Sequence, residues 1–190
     1  MERINSLMQL LTYLVNFSEA ELEIIASCFK PKSFNRNTII LEREEVCKEF
    51  YFVYKGCLRT YFLDIEGRER TRYIMLDFNI GTALSSFIYE NPSFEYLDAL
   101  EDTEVLAISY SDFYRLNKEL PNWTFFYQKI LEMAYSFQNK RIEDLIMLSA
   151  KERYEQLIKE RPEFIKRLSN KIISSYLDIA QETLSRLKSK

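Results

Sequence analysis

From Leu168 to Lys190 the chain reads LSNKIISSYLDIAQETLSRLKSK, with apolar residues at two helical spacings separated by a break. Ile173 and Leu177 are four apart and Leu184 and Leu187 three apart, so each pair lies on one helix face. Leu177-Asp178-Ile179 between them leaves room only for a tight turn, and the stretch predicts a helix-turn-helix. Ser174 supplies the small side chain that a steep helix crossing needs, and Ile179 the inward apolar residue of the turn. Asp178 stands where the turn favours glycine with positive φ, a conformation Asp tolerates better than most residues. Ala180 stands at the N-cap of the second helix, where Ser or Thr would typically add about 1 kcal/mol. The outward face of that helix carries Gln181, Glu182, Ser185 and Arg186. Gln pairs with adenine, Arg with guanine and Glu with the cytosine amino group, and such a helix lays its N-terminal residues in the major groove. An ordinary helical hairpin packed on another element has the same spacing.

Upstream, Ile4, Leu7, Leu10, Leu11 and Leu14 form a helical stripe over residues 2–14. Ser18-Glu19-Ala20-Glu21 reads as a capping box opening a short helix that ends before Pro31. From Ser33 to about Ile108 the pattern changes to short β-branched and aromatic runs: 38–41, 50–54, 57–63, 70–75, 94–99 and 104–108. Lys55-Gly56 and Glu66-Gly67 read as hairpin turns, and strands at this spacing predict a sandwich or jelly-roll barrel. Helical spacing returns after Ser109-Tyr110-Ser111-Asp112 with Phe113, Leu116 and Leu120, and Pro121 breaks it. Trp123, Phe126, Ile130, Met133 and Phe137 then recur at three and four, and the stripe runs on through Ile142, Leu145 and Leu148. So long a stripe predicts a helix–helix dimer seam at those residues; a long helix folded onto its own barrel is the alternative. Ser149-Ala150-Lys151-Glu152 opens a further helix with Tyr154, Leu157 and Ile158 inward, ending near Pro162.

Composition narrows the chemistry. With 190 residues, 47% hydrophobic, 14 Phe and 13 Tyr, the chain has ample material for one medium and one small domain. No run approaches the roughly 20 apolar residues of a membrane span, and the N-terminus does not read as a signal peptide, so a cytoplasmic, soluble protein is expected. Histidine is absent, which removes His-based triads and HExxH zinc sites. Cys28, Cys47 and Cys57 have no paired spacing, so no disulfide framework, metal site or iron–sulfur cofactor is expected. The three glycines form no phosphate-binding loop, and no acidic pair suggests a reaction, so no catalytic residue is assigned. Net charge is −3, but from Ser149 onward ten Lys and Arg face six Asp and Glu, a local balance of +4 against −7 for the remainder. That asymmetry suits a nucleic-acid-binding tail on an acidic body.

The order of elements resembles the Crp/Fnr family of bacterial transcription regulators. The resemblance covers nearly the whole chain. It is carried by Phe50-Tyr51-Phe52-Val53-Tyr54-Lys55-Gly56, by Asp64-Ile65-Glu66-Gly67-Arg68-Glu69, by the run from Ala99 to Leu106, and most specifically by Glu182-Thr183-Leu184-Ser185-Arg186, similar to the family's recognition-helix signature. It implies base-edge contacts from Gln181, Glu182 and Arg186, phosphate or groove-edge contacts from Thr183 and Ser185, and backbone contacts from Lys188 and Lys190. The chain stops just after this helix, so the β-wing of many members is expected to be missing. The implied effector pocket departs from the cyclic-nucleotide pattern. Gly81 is kept, but Thr82 stands for the ribose-binding Glu, and Ser93 and Phe94 for the phosphate-binding Arg and Ser or Thr. A cyclic phosphate buried without a guanidinium costs several kcal/mol unless Arg72 reaches it, so cAMP and cGMP are expected to bind poorly. Phe78, Phe87, Tyr89, Phe94 and Tyr96 either line a pocket for another ligand or belong to the barrel core.

The resulting expectation is an α+β fold. A cyclic-nucleotide-binding-like jelly-roll sensor barrel occupies 1–121, a dimerisation helix 122–148, and a helix-turn-helix without a clear wing 149–190. Expected partners are double-stranded DNA, a second copy of the chain, a small effector and, for an activator, RNA polymerase. The rival reading is a ligand-binding or protein-interaction module whose terminal helices dock a partner protein.

Overall fold

A computed structural model describes residues 2–189. It divides into two compact units, Met1–Tyr61 with Tyr73–Leu131, and Phe62–Arg72 with Glu132–Lys190. The elements run α1 (Glu2–Leu14), α2 (Glu19–Cys28), β1 (Lys30–Phe34), β2 (Ile39–Leu41), β3 (Glu49–Lys55), β4 (Leu58–Leu63), β5 (Glu69–Met75), β6 (Ile80–Gly81), α3 (Leu84–Tyr89), β7 (Tyr96–Ala99), β8 (Thr103–Ser109), α4 (Tyr110–Glu119) and α5 (Pro121–Met147). Four helices follow: α6 (Ala150–Glu160), α7 (Pro162–Arg167), α8 (Asn170–Leu177) and α9 (Gln181–Lys188).

The strands form two four-stranded sheets, β1-β8-β3-β6 and β2-β7-β4-β5, in a jelly roll. The middle of β3, Phe50–Val53, is buried on both faces because α1 and α4 also pack against the sheet from outside. Leu7 and Leu11 of α1, Ile25 of α2, Phe113 and Leu116 of α4 and Trp123 and Phe126 of α5 join Phe50, Phe52, Leu106 and Ile108 in one core. Ser18 and Glu21 make the expected capping box, and Ser109 caps α4 by accepting from the Asp112 amide. Pro121 begins α5 at its first turn, where proline's missing N–H costs nothing.

Four short elements lie outside the sequence expectation, among them the two-residue β6. β1 begins at Lys30 and runs through Pro31 as a mostly exposed edge strand paired with β8 alone. Proline is tolerated at such an edge. The six-residue α3 buries Ser86 and Phe87, and α7 fills the stretch after Pro162. Ile158, expected inward on α6, is exposed.

The two glycine turns differ in kind. Glu66-Gly67 closes the β4–β5 hairpin, with the Gly67 N–H donating to Asp64 O at 2.9 Å and φ +76°. Lys55-Gly56 is not a hairpin turn, because β3 and β4 belong to different sheets. It is the corner where the chain changes layer. Gly56 has φ +112°, and a Cβ there would stand 2.5 Å from Thr103 Oγ1 and 2.8 Å from Asp102 O. No L side chain fits without moving the backbone.

A buried ion pair crosses the second sheet. Arg59 and Asp98 are register partners on β4 and β7, with Arg59 Nε donating to Asp98 Oδ1 at 3.0 Å and Nη2 to Oδ2 at 2.5 Å. The guanidinium lies 4.0 Å from the Tyr61 ring centroid, and Tyr61 stacks on Tyr96 at 5.1 Å. Removing one partner leaves the other charge buried and uncompensated. Asp98→Ala is expected to lower the unfolding free energy by about 3–5 kcal/mol in urea titration, and Arg59→Met/Asp98→Leu to recover most of that.

Candidate nucleic-acid interface

Ser169 caps α8 by accepting from the Ile172 amide, and Ile172, Ile173, Ser174 and Leu177 are buried. The turn forms as the sequence predicts. Asp178 adopts the left-handed conformation at φ 54°, ψ 49°, with its N–H bonded to Ser174 O, and Ile179 donates to the same carbonyl at 3.0 Å. Ala180 is the N-cap of α9 and gives no side-chain hydrogen bond. Leu184 is fully buried on the inner face. Gln181, Glu182, Ser185, Arg186 and Lys188 are exposed and Thr183 is half-buried. Lys188 Nζ donates to Asn170 Oδ1 at 2.5 Å. Lys190 lies outside the described residues.

The last carbonyls of α8 are satisfied from elsewhere in the unit. Arg141 of α5 donates through Nη2 to Tyr176 O at 2.5 Å and to Thr71 O at 2.9 Å, with its guanidinium 4.3 Å from the Tyr176 ring centroid. Arg153 of α6 donates to Leu177 O at 3.1 Å and to Leu148 O at 2.7 Å. Burial pulls the Arg141 pKa down from its ordinary value. A guanidinium starts high enough to stay charged even so. Two side chains thus fix where α8 stops, and thereby where α9 begins.

The β4–β5 hairpin tip belongs to the same unit. Asp64 accepts from the Arg68 and Glu66 amides at 3.0 and 2.9 Å and from Arg68 Nε and Arg70 Nε at 2.9 and 3.0 Å. Foremost the Arg68 N–H holds its carboxyl well below the usual carboxylate range. The other arm of the Arg70 fork reaches the Asp178 carboxylate. Thr71 N donates to Ser175 Oγ at 2.8 Å, Ser175 Oγ donates to Glu69 O at 2.8 Å, and Lys171 Nζ reaches Glu69 Oε1 at 2.5 Å. The contacts between the hairpin and α8 have no signal in local sequence, because their partners are about a hundred residues apart.

The expected effector residues do not converge on an open site. Thr82 is buried and its hydroxyl donates to Glu49 O at 2.6 Å, while Ser93 donates to Glu95 O at 2.9 Å. Phe94 is 75% exposed, and Tyr96 is engaged in the stack on Tyr61. At Gly81 a Cβ would stand 2.7 Å from Met75 Sδ. Arg72 falls in the second unit, 5.9 Å from the Phe62 ring centroid. Of the aromatic set, Phe87 is core, packed on Phe50 and Phe113, whereas Phe78 and Tyr89 are exposed. Among the described residues the buried Thr60 Oγ1 of β4 has no hydrogen-bond partner.

On α5 the alternative reading holds for three of the seam residues. Trp123, Phe126 and Ile130 are covered by their own unit, with Trp123 Nε1 donating to Phe113 O at 3.1 Å. Met133 is exposed and Phe137 half-buried. A second stripe at heptad spacing, with exposed Phe125, Tyr135, Ile142 and Ile146, lies on the opposite side of the helix. Among the described residues no group of three or more His, Cys, Asp or Glu is placed to hold a metal ion, and no helix is long and apolar enough to cross a membrane.

Residues 31–119 match the model of the cyclic nucleotide-binding domain. No protein of curated function matches the sequence. Among solved structures, a Crp/Fnr-family transcriptional regulator from Eubacterium rectale is 21% identical with TM-score 0.72, covering 90% of this chain and 82% of its own. FixK2 from Bradyrhizobium japonicum is 19% identical with TM-score 0.73, covering 85% and 83%. The chain has the Crp/Fnr fold. The c-di-GMP-responsive regulator CLP of Xanthomonas campestris shares that fold at 14% identity and TM-score 0.72, covering 90% and 89%.

Arg141→Ala would orphan the Tyr176 and Thr71 carbonyls and uncover the Tyr176 ring. It is expected to destabilise the second unit by about 2–3 kcal/mol, read as faster amide hydrogen exchange through α8 and α9 with the barrel amides unchanged.

Proposed function

We propose that the chain is a sequence-specific DNA-binding transcription regulator of the Crp/Fnr type, acting as a homodimer and responding to a small effector other than cAMP. The observation that carries the reading is the outer face of α9. Gln181, Glu182, Ser185 and Arg186 are all exposed on a helix whose other side is anchored by Leu184, and the Arg186 guanidinium makes no ion pair among the described residues. A lone guanidinium beside an amide and a carboxylate is a base-reading set, with Arg bidentate to guanine and Gln to adenine. Thr183 and Lys188 are the flanking phosphate contacts in this reading.

The functional division is a sensor barrel over 1–121, a dimer helix over 122–148 and a DNA-binding domain over 149–190. The dimer seam in this reading is the exposed stripe of Phe125, Tyr135, Ile142 and Ile146, while Met133 and Phe137 lie on the face of Trp123, Phe126 and Ile130, away from it. Two copies paired there present two recognition helices to half-sites about 34 Å apart. Effector binding within the barrel is supported by the Thr60 hydroxyl, a buried polar atom without a partner whose isolation costs about 1–3 kcal/mol until something bonds it. The Thr82 and Ser93 hydroxyls are turned inward onto Glu49 O and Glu95 O, so these two are not offered to a cyclic phosphate.

Selection from a random duplex pool, at two salt concentrations, is expected to return a two-fold-symmetric consensus. Arg186→Ala is expected to cost about 1–3 kcal/mol and to relax preference at one base position of each half-site. Unchanged affinity and preference would remove the assigned recognition face, and no enrichment with or without cell extract would favour a protein-docking module. Calorimetric titration with cAMP is expected to give no saturable heat.

A further inference from the structure

The contacts between the β4–β5 hairpin and α8 involve the groups that a duplex would need. In a helix-turn-helix the first helix crosses the phosphate backbone while the second enters the groove. Lys171, in the first turn of α8, is the cation placed for that crossing, and its ammonium is held 2.5 Å from Glu69 Oε1. Asp178 at the turn is held by Arg70, which Asp64 orients from the hairpin. Ser175 is bonded on both sides, accepting from Thr71 N and donating to Glu69 O. Arg68, Arg70, Lys171, Asp178, Gln181 and Glu182 line one cleft, so the hairpin tip stands beside the N-terminal end of α9. Of the hairpin's carboxylates Glu69 lines this cleft, whereas Asp64 and Glu66 are paired with Arg68 and Arg70.

We propose that the β4–β5 hairpin is a latch on the helix-turn-helix, in which Glu69 competes with DNA phosphate for Lys171, so that the conformation described here is the closed, weak-binding one. The proposal rests on the DNA-binding reading. Opening releases Lys171 and withdraws Glu69 from the cleft, while Arg141 and Arg153 keep α8 and its turn in place through carbonyls that the hairpin side chains do not use. The latch is set by two partly exposed ion pairs, a hydroxyl bridge and the bond from Arg141 Nη2 to Thr71 O, so opening releases that one contact of Arg141 while its bond to Tyr176 O stays.

Two variants test it. Thr71 Oγ1 and Ser175 Oγ are 2.9 Å apart, so Thr71→Cys/Ser175→Cys brings two thiols side by side for a lock made by oxidation and released by reduction, with formation of the cross-link checked by mass spectrometry; the three native cysteines are buried. Affinity for the random duplex pool at low salt is expected to be roughly tenfold or more weaker in the oxidised than in the reduced form. Glu69→Gln, which frees Lys171 without a cross-link, is expected to bind about two- to fivefold tighter than the parent chain. If the oxidised form binds as well as the reduced form and Glu69→Gln matches the parent, the latch is wrong and the DNA-binding reading stands. If no form binds any duplex, the DNA-binding reading fails and takes the latch with it.

Discussion

The carbonyl groups at the end of α8 decide where α9 points. Every helix leaves its last four carbonyls unbonded, and here the turn that follows is only as fixed as the partners found for them. Arg141 and Arg153 reach Tyr176 O and Leu177 O from two different helices, and each carries a second bond to a carbonyl of a third segment, Thr71 and Leu148. Lysine has the charge but not the planar fork, so it does not join three segments at one point. α9 has eight residues and no side-chain cap, far below the length at which a helix holds itself in water. Its order therefore comes from Leu184 beneath it and from the arginine-held turn before it.

The barrel shows the same economy of fixed points. Gly56 lets the chain pass from one sheet to the other against Thr103, and the Arg59–Asp98 pair holds β4 to β7 by side chains as well as by the ladder. Residues at the positions expected for an effector serve the fold. Thr82 bonds the β3 backbone and Ser93 bonds Glu95, so both hydroxyls are consumed by the fold. A chain can keep the jelly roll and change what it recognises, because the corner glycine and the cross-strand pair, not the loop, hold the sheets.

The helix-turn-helix was legible because its constraints are local. A four-residue spacing, a three-residue turn and an Asp that tolerates positive φ are adjacent in the sequence, and the Asp178 dihedrals follow from them. The strands rich in Phe, Tyr and Val were legible for the same reason. β1 was not, since Lys30–Phe34 is a polar, proline-bearing edge that only β8 makes into a strand. Gly56 and Gly67 read alike as turn glycines, and only the sheet order separates a corner from a hairpin. On α5 the sequence shows apolar residues on two sides but not which side the barrel has already covered, so Trp123, Phe126 and Ile130 read as seam when they are core. Glu69 with Lys171 and Arg141 with Tyr176 lie beyond any spacing rule.

Charge placement closes the argument about what kind of DNA binder this would be. The segment from Ser149 carries only +4, and two of its cations nearest the recognition helix are already engaged, Lys171 by Glu69 and Lys188 by Asn170. Nonspecific affinity grows with the number of phosphates neutralised, so a surface with few free cations gains little from random DNA. What remains exposed on α9 is Gln181, Glu182 and Arg186, groups whose value depends on meeting the right base edges. Glu182 also repels phosphate wherever it fails to find a cytosine amino group. In the proposed reading such a face trades affinity for discrimination, and release of Lys171 from Glu69 would shift the balance back toward affinity.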